Sequence, residues 1–272
     1  MKVVLFCGGF GLRLREHTSS APKPMVPVGY RPILWHIMKY YAHHGHNDFV
    51  LCLGYKADII KDYFLNYNET VSNDFVLTDS GRRVELLSSD ISDWRITFAD
   101  TGLQASIGQR LRAVRKYLAG EETFLASYGD CLTDAPLSLL IEDFERRKKI
   151  GAFLSVSPNY PFHLVVQRED GVVSSIQDVK RSDLWINGGY FIFRQAIFDF
   201  LCQGEDLVEE PFQRLIADRQ LVTYPYEGFW APMDTLKDRQ MLEALYESGR
   251  PPWAVWERHE PERPLDVGLR TT

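Results

Sequence analysis

A short apolar strand that ends in closely spaced glycines is the feature that most limits how this chain can fold. Lys2–Phe6 is almost wholly apolar and β-branched in its middle, which is typical of a strand buried on both faces of a parallel sheet. Gly8, Gly9 and Gly11 follow it. Because glycine lacks Cβ, the chain can turn sharply there and present backbone N–H groups to an anion. The sequence therefore predicts an anion-binding loop after the first strand.

The residues around this loop are basic although the protein as a whole is acidic. The first 31 residues contain five lysines and arginines and one acidic residue, whereas the formal net charge of the whole chain is −6. Lys23 stands between Pro22 and Pro24. Because proline fixes φ and lacks an N–H, this segment should be a stiff extended loop that holds the amine in place. Such local positive charge predicts a small polyanionic ligand rather than a nucleic-acid groove.

The glycine spacing differs from that of the common nucleotide-binding loops. Gly-Gly-x-Gly fits neither the dinucleotide fingerprint Gly-x-Gly-x-x-Gly nor the Walker loop. A Rossmann dehydrogenase is disfavoured further because no acidic partner for a ribose is evident. A plain structural turn between a strand and a helix would explain the glycines by themselves equally well. The proline-flanked Lys23 favours the phosphate-binding interpretation.

Length and composition indicate one large globular domain. Of the 272 residues, 45% are hydrophobic and 25% are charged. We assign residues 1–248 to this domain and residues 249–272 to a tail rich in proline and charge, which we expect to be irregular or to pack on a neighbouring subunit. No apolar run approaches about 18 residues and no signal peptide is evident, so we expect a cytoplasmic protein that binds neither membrane nor nucleic acid. The cysteines are interpreted as reduced core thiols: Cys7, Cys52, Cys131 and Cys202.

Alternating strand and helix patterns predict the fold class. Buried strands are expected at 2–6, 48–53, 123–128, 152–157 and 221–226, and helices at 32–41, 57–65, 107–118, 137–149 and 236–248. Two short strands at 163–167 and 172–176 look like a hairpin, and 186–189 is expected to be a turn that leads into a further strand. We therefore predict an α/β fold: a doubly wound, mostly parallel Rossmann-like sheet with helices on both faces and small antiparallel β insertions.

Two aspartates are expected at the same edge of this sheet as the glycine loop. Asp130 follows the strand at 123–128, and Asp234 follows a short strand that begins near Gly228. Ligands of open α/β sheets bind at the carboxyl ends of the strands, and carboxylates beside phosphates would be repelled unless a cation lay between them. Either residue alone could equally be a turn residue or a helix cap. Together with the glycine loop they favour a divalent ion, Mg²⁺.

Several short strings occur in the same order as in the sugar-1-phosphate nucleotidylyltransferases. They are Gly8-Gly9-Phe10-Gly11-Leu12-Arg13-Leu14, Pro22-Lys23-Pro24-Met25, Pro32-Ile33-Leu34-Trp35-His36-Ile37-Met38-Lys39, Gly54-Tyr55-Lys56, Asp100-Thr101-Gly102, Tyr128-Gly129-Asp130, Ile186-Asn187-Gly188-Gly189 and Phe229-Trp230-Ala231-Pro232-Met233-Asp234-Thr235. The chain resembles this family from Met1 to about Trp256. The Trp-His-Ile-Met-Lys and Pro-Met-Asp-Thr strings are specific to the branch that uses CTP and glucose 1-phosphate.

The resemblance implies a reaction, a metal and a set of site residues. Members of the family join a nucleoside triphosphate to a sugar 1-phosphate, release pyrophosphate and form a nucleotide sugar, and by the same likeness we expect Mg²⁺ as cofactor and a homo-oligomer. Arg13 and Lys23 would be catalytic, and Asp130 and Asp234 would hold the metal. The nucleotide would contact Phe6, Gly8, Gly9, Gly11, Arg13, Lys23, Arg110 and Asp130, with Arg110 and the Gly8 and Gly9 backbone near the base. The sugar phosphate would contact Tyr128, Asp178, Lys180, Asn187 and Gly189.

Departures from the family pattern leave the substrate and the activity open. Gln177-Asp178-Val179-Lys180 stands where the family has Glu-Lys-Pro, whose charged residues meet the sugar and its phosphate. Either Lys180 substitutes after a shift of one residue, or the acceptor differs from glucose 1-phosphate. Leu12 replaces a threonine, and Gln109 and Cys131 replace glycines. A regulatory homologue that binds a nucleotide or nucleotide sugar without turnover is one alternative, and an enzyme that uses UTP or dTTP is another.

Overall fold

The computed structural model describes residues 1–11, 21–158 and 162–258, and one seven-stranded sheet organises it. Across the sheet the strands are β14 (Leu221–Tyr226), β10 (Gly151–Val156), β13 (Ile186–Arg194), β8 (Thr123–Tyr128), β1 (Lys2–Phe6), β4 (Asp48–Leu53) and β7 (Arg95–Asp100). β1 runs parallel to β4 and β8, β4 to β7, and β10 to β14. β13 is antiparallel to both of its neighbours, β8 and β10. The carboxyl ends of β1, β4, β7 and β8 therefore meet at one edge.

Helices cover both faces of this sheet. They are α1 (Ile33–His43), α2 (Ala57–Leu65), α3 (Ile107–Val114), α4 (Leu137–Arg147), α5 (Glu210–Ala217) and α6 (Leu236–Glu247). Alternate side chains of β1 enter two separate cores: Val3 and Leu5 pack with residues of α1, α4 and α6, whereas Val4 and Phe6 pack with residues of α3 and α5. The predicted doubly wound, mostly parallel sheet is confirmed. Within the described residues, no helix has the length and apolar character needed to cross a membrane.

Capping boxes fix the starts of two helices near the carboxyl edge of the sheet. At the start of α3 the Ser106 hydroxyl accepts from the Gln109 N–H, and the Gln109 side chain accepts from the Ser106 N–H. Thr235 and Asp238 make the same pair of bonds at the start of α6. A cap of this kind stabilises a helix by about 1 kcal/mol. The cap at Thr235 also fixes the residue before it, Asp234.

Four short antiparallel ladders lie outside the main sheet in the part of the chain that the structure describes. They pair β2 (Pro27–Val28) with β3 (Arg31–Pro32), β5 (Phe75–Thr78) with β6 (Arg83–Leu86), β9 (Cys131–Thr133) with β15 (Trp230–Pro232), and β11 (His163–Gln167) with β12 (Val173–Asp178). The ladders of β5 with β6 and of β11 with β12 match the small β insertions that the sequence predicts, whereas the other two ladders were not predicted.

Some segments differ from the predicted secondary structure. Pro32, expected in the first turn of a helix, lies in β3, and residues 115–118, expected to continue α3, form a 3-10 helix. Residues 186–189, expected to form a turn, are the first part of β13, because Ile186 pairs with Val156 and Asn187 with Ser155. An irregular register follows between Ser155 and Phe153. Trp230 Nε1 donates to the Gly188 carbonyl at 2.8 Å. This contact with a residue far along the chain helps hold the two glycines in the sheet.

Residues 249–258 pack on the chain they belong to, although the sequence suggested an irregular tail or contact with a neighbouring subunit. Trp253 is 1% exposed, and its indole Nε1 donates to His36 Nδ1 at 3.2 Å. Trp256 lies edge-on to Trp35 of α1. Burial of large aromatic side chains against α1 provides the physical reason. The remaining residues of the predicted tail, 259–272, lie outside the described residues.

Candidate active site

A cavity of about 390 Å³ opens at the carboxyl ends of β1 and β8. Its lining consists of Phe6, Cys7, Gly9, Phe10, Gly11, Lys23, Pro24, Gly129, Asp130 and Asp234. This edge of an open α/β sheet is where ligands bind. Most of these residues were proposed from the sequence. Cys7, Phe10, Pro24 and Gly129 were not proposed individually, although their position inside the motif strings could have identified them.

The ladder between β9 and β15 brings the two aspartates together. Asp130 immediately precedes β9, and Asp234 lies two residues after β15. Cys131 pairs with Pro232 in this ladder, and the Met233 N–H donates to the Asp130 carbonyl at 2.9 Å. Two carboxylates that are distant in sequence therefore face the same cavity.

The Lys23 ammonium lies between these carboxylates. Its Nζ donates to Asp130 Oδ2 at 2.5 Å and to Asp234 Oδ1 at 2.6 Å, and the residue is 8% exposed. Burial alone would lower the pKa of Lys23, but the charges and hydrogen bonds of both aspartates outweigh burial and raise the pKa above its ordinary value. Lys23 is therefore a permanent cation in the cavity wall.

The second oxygen of Asp130 is held by the neighbouring cysteine. Cys131 Sγ donates to Asp130 Oδ1 at 3.3 Å. Burial raises the pKa of the Cys131 thiol well above its usual range, and the Asp130 charge acts in the same direction, so the thiol keeps its proton. The hydrogen bond from Cys131, which the resemblance places where the family has a glycine, orients one of the two carboxylates.

The two aspartates form a donor set that fits a hard divalent cation. Asp130 Oδ2 and Asp234 Oδ1 both lie within 2.6 Å of one nitrogen, so the two oxygens converge on a single point beside the cavity. Mg²⁺ is commonly held by one or two carboxylates, with phosphate oxygens and waters as its other ligands. Among the described residues, no group of three or more His, Cys, Asp or Glu is arranged to hold a metal. Two carboxylates fit a site that the substrate completes.

Arg110 lies behind the glycine loop instead of in the cavity wall. Its guanidinium is 2% exposed and donates to the Gly8 carbonyl at 2.9 Å, the Leu53 carbonyl at 3.1 Å and the Gly102 carbonyl at 2.9 Å. A Cβ on Gly8 would overlap the guanidinium, so a larger residue there would require Arg110 to move. The sequence placed Arg110 near the base. In the structure it joins the ends of β1, β4 and β7, because a buried guanidinium needs acceptors and the carbonyls at these strand ends supply them.

Three of the proposed sugar-binding residues lie together next to the cavity. Tyr128 directly precedes Gly129 and Asp130, and its ring lies 6.3 Å from that of Phe6. Asn187 Nδ2 approaches the Tyr128 hydroxyl at 3.5 Å, while Asn187 Oδ1 accepts from the Gly189 N–H at 2.9 Å. Gly189 has φ +76°, and a Cβ there would overlap the Tyr128 ring. The amide of Asn187 is thus fixed beside an aromatic hydroxyl.

The other proposed sugar-phosphate residues do not line this cavity. Asp178 ends β12, and its Oδ1 accepts from the Lys180 N–H at 3.0 Å, which caps the short 3-10 helix Val179–Arg181. Lys180 is exposed. The Asp178 carboxylate thus accepts a hydrogen bond from the backbone of its own turn, whereas the sequence predicted that it contacts the sugar phosphate. Arg13, the other proposed catalytic residue, lies outside the described residues.

The fold and the site together define an α/β protein in which a glycine loop, a lysine and two carboxylates meet at the carboxyl edge of the sheet. The nucleotidyl transferase family profile matches residues 2–246, and the chain belongs to this family of enzymes. The glucose-1-phosphate cytidylyltransferase of Salmonella typhimurium strain LT2 is 38% identical over 259 residues, which are 94% of this chain and 100% of that protein. The mannose-1-phosphate guanyltransferase of Schizosaccharomyces pombe strain 972 is 26% identical over 274 residues, 96% of this chain and 67% of that protein. The resemblance predicted from the motif strings is confirmed.

Solved structures show the same fold. UDP-glucose pyrophosphorylase in complex with UDP-glucose superimposes with a TM-score of 0.66 and 15% identity, covering 92% of this chain and 99% of that one. HddC from Yersinia pseudotuberculosis gives a TM-score of 0.63 with 18% identity, covering 90% and 99%. At these identities the likeness concerns the fold.

Proposed function

We propose that this protein is a Mg²⁺-dependent cytidylyltransferase that joins CTP to glucose 1-phosphate, releases pyrophosphate and forms CDP-glucose. The observation that carries the proposal is the meeting of Lys23 with Asp130 and Asp234 beside the glycine loop. The choice of CTP and glucose 1-phosphate is supported by the 38% identity to the Salmonella enzyme of that name over nearly the whole chain. All four cysteines are free thiols, which suits the cytoplasmic location that we propose. Cys7, Cys52 and Cys131 are buried as predicted, whereas Cys202, predicted to lie in the core, is exposed.

This reaction depends on neutralising charge more than on moving a proton. A phosphate monoester has a second pKa near 6 and is already an anionic nucleophile at neutral pH, so no general base is required. The phosphate oxygen forms a bond to the α-phosphorus of the triphosphate while the bond from that phosphorus to the pyrophosphate oxygen breaks. The enzyme must bring two mutually repelling anions into line and stabilise the charge that develops.

Each part of the site has a role in this scheme. Lys23 contributes a positive charge at the α-phosphate, and the glycine loop together with Arg13 binds the triphosphate. Asp130 and Asp234 would hold Mg²⁺, which would supply additional positive charge to the phosphate oxygens. Tyr128, Asn187 and Gly189 border the sugar.

Pyrophosphate release by purified protein tests the proposal. CTP, UTP, dTTP and GTP are each combined with a panel of sugar 1-phosphates, and CTP with glucose 1-phosphate is expected to give the highest kcat/KM. Lys23→Ala and Asp130→Asn should each lower kcat by about 10² or more, since each removes charge stabilisation from the reacting phosphates. Lys61→Ala, on the exposed face of α2, is the matched control and should leave kcat unchanged.

The same panel separates the alternatives. Tight CTP binding in calorimetry with no pyrophosphate from any combination would support a regulatory protein and contradict the enzymatic proposal. Higher kcat/KM with UTP or dTTP would contradict the choice of CTP. Preference for another sugar phosphate would show that Gln177-Asp178-Val179-Lys180 selects a different acceptor.

We also propose that the protein is a homo-oligomer whose subunits meet through the hairpin of β5 and β6. Phe75 pairs with Leu86 and Leu77 with Val84, so four apolar side chains share one face, and each is between 40% and 56% exposed. A two-stranded hairpin has little stability of its own in water. An apolar face of this kind is typical of an interface, and a second copy of the chain is the partner that we propose for it.

Light scattering after gel filtration tests this interface. Leu77→Glu places a charge on the apolar face and should shift the protein towards monomers at micromolar concentration. Thr78→Glu, one residue along on the opposite face, is the matched control and should not. A monomeric wild-type protein, or equal effects of the two substitutions, would overturn the proposed interface.

A further inference from the structure

The Lys23 ammonium occupies the position that a metal ion held by both aspartates would need. Its Nζ lies 2.5 Å from Asp130 Oδ2 and 2.6 Å from Asp234 Oδ1. Mg²⁺ binds carboxylate oxygens at about 2.0–2.1 Å, so an ion held by these two oxygens would lie at nearly the same point as the nitrogen. The ammonium and the ion therefore exclude each other, both by their volume and by their like charge.

We propose that Lys23 is an exchangeable internal counter-cation. It neutralises Asp130 and Asp234 in the free protein and leaves them when a divalent ion arrives with the nucleotide. The consequence is that the free protein binds the ion weakly, and that binding of the ion and of the triphosphate are coupled. This inference rests on the proposed function, because the phosphates of the nucleotide provide the site to which the released ammonium moves.

The backbone around Lys23 is fixed, so the exchange requires motion of the side chain alone. Lys23 lies in a 3-10 turn between Pro22 and Pro24, where the Met25 N–H donates to the Pro22 carbonyl at 2.8 Å and the Val26 N–H donates to the Lys23 carbonyl at 3.1 Å. The side chain has four rotatable bonds and already lines the cavity. It can therefore turn from the carboxylates towards a bound phosphate without unfolding the loop.

The two aspartates, in contrast, make further contacts that do not involve Lys23. Asp130 Oδ1 accepts from Cys131 Sγ at 3.3 Å, and the Asp130 carbonyl accepts from the Met233 N–H at 2.9 Å. The Asp234 N–H donates to Asp238 Oδ2 at 3.1 Å, next to the cap of α6. When the ammonium leaves, the anchors of both aspartates remain. The donor set therefore persists while its cation changes.

The charge balance explains why the exchange would need the nucleotide. Two carboxylates and one ammonium carry a net charge of about −1. An ion that enters alone must expel the ammonium into a cavity whose lining, among the described residues, has no carboxylate besides Asp130 and Asp234. When a triphosphate is bound, the ammonium gains phosphate oxygens as partners and the ion gains phosphate ligands. Each cation then has its own anions, so both can stay in the site.

Binding of Mn²⁺ in the absence of nucleotide tests the proposal. Mn²⁺ serves as a paramagnetic substitute for Mg²⁺, and its free concentration is measured by electron paramagnetic resonance. Lys23→Met removes the ammonium while keeping an unbranched chain, and it should bind Mn²⁺ at least about tenfold more tightly than the wild type. Lys61→Met, exposed on α2, is the charge-matched control and should bind Mn²⁺ like the wild type. Adding Asp234→Asn to Lys23→Met should abolish the gain.

Equal or weaker Mn²⁺ binding by Lys23→Met would overturn the proposal, and so would tight Mn²⁺ binding by the wild type. Lys23→Gln provides a second neutral variant if Lys23→Met does not fold. The rise in unfolding temperature with Mn²⁺ should be larger in the neutral variant than in the wild type. Because no nucleotide or sugar phosphate is present, the measurement is independent of pyrophosphate release. Loss of the proposed function and failure of the lysine exchange are therefore distinguishable.

Discussion

Acid is expected to destabilise this protein through His36, a buried residue of α1. The ring is 3% exposed, with Nε2 2.9 Å from the Val28 carbonyl and Nδ1 accepting from Trp253 Nε1 at 3.2 Å. Nε2 must therefore carry the proton, and Nδ1 must remain without one. A second proton on Nδ1 would point at the indole N–H. Burial lowers the pKa of His36 from 6.5 to about 4, against the opposing effect of the Val28 carbonyl.

The sign and size of the effect follow from this shift. The unfolded chain takes up a proton on His36 near pH 6.5, whereas the folded protein takes it up only near pH 4. The contribution of neutral His36 to the free energy of unfolding is therefore fully present above pH 6.5 and is lost as the pH falls towards 4. At about 1.4 kcal/mol per pKa unit, His36 should lower the free energy of unfolding by about 1 kcal/mol at pH 5.5 and by about 2–3 kcal/mol at pH 4.5.

Urea unfolding of the wild type and of His36→Gln isolates this contribution. Glutamine can donate to the Val28 carbonyl but does not titrate. At pH 7.5 the variant should be less stable by about 1–2 kcal/mol because it packs less well. At pH 4.5 the difference should have shifted by about 2–3 kcal/mol in favour of the variant, which then is as stable as the wild type or more stable, since only the wild type loses the His36 contribution. Burial also lowers the pKa values of His44 and His46. The contributions of these and other acid-sensitive groups are the same in both proteins and cancel in the difference. A gap that does not change with pH would refute the reasoning.

Other predictions concern the walls of the cavity. Arg110→Met should raise the KM values for CTP and UTP by the same factor, about tenfold or more, because the guanidinium positions three loops through their carbonyls. Steady-state kinetics with both nucleotides checks this prediction. A changed preference between the two bases would instead indicate that Arg110 contacts the base directly. Gly8→Ala and Arg110→Met should lower the free energy of unfolding in urea by similar amounts, since a Cβ on residue 8 displaces the guanidinium. Gly189→Ala should raise the KM for the sugar phosphate more than that for CTP in the same assay, because φ is +76° and the Tyr128 ring occupies the space of a Cβ.

Elements with strong local signals were predictable from the sequence. The bounds of β1, β4 and β8 agree with the predicted strands, because buried parallel strands are continuous apolar runs that end in glycine or polar residues. Residues 186–189 were mistaken for a turn because Gly188 and Gly189 are turn formers by local preference. Their place in β13 depends on pairing with β10 and on the bond from Trp230, neither of which leaves a local pattern.

The role of Arg110 was harder to predict from the sequence, for a related reason. Besides the Thr101 hydroxyl, the guanidinium donates to the carbonyls of Gly8, Leu53 and Gly102, which come from three separate strand ends. A backbone carbonyl is present at every residue, so no sequence pattern marks the ones that a buried arginine will use. Sequence reasoning can therefore place such an arginine near a site but cannot separate contact with a ligand from support of the loop behind it.

Lys23 and the two aspartates show what charge reasoning does predict. The sequence predicts a cation beside Asp130 and Asp234, because these carboxylates and the phosphates of a ligand would otherwise repel each other, and a metal ion was expected in that role. The same requirement holds before any phosphate arrives, since two carboxylates facing one point also repel each other. A lysine on a loop stiffened by Pro22 and Pro24 meets that requirement in the free protein, with its ammonium within 2.6 Å of both. The fold therefore fixes the position of positive charge in this site, and which cation occupies it depends on the anions present.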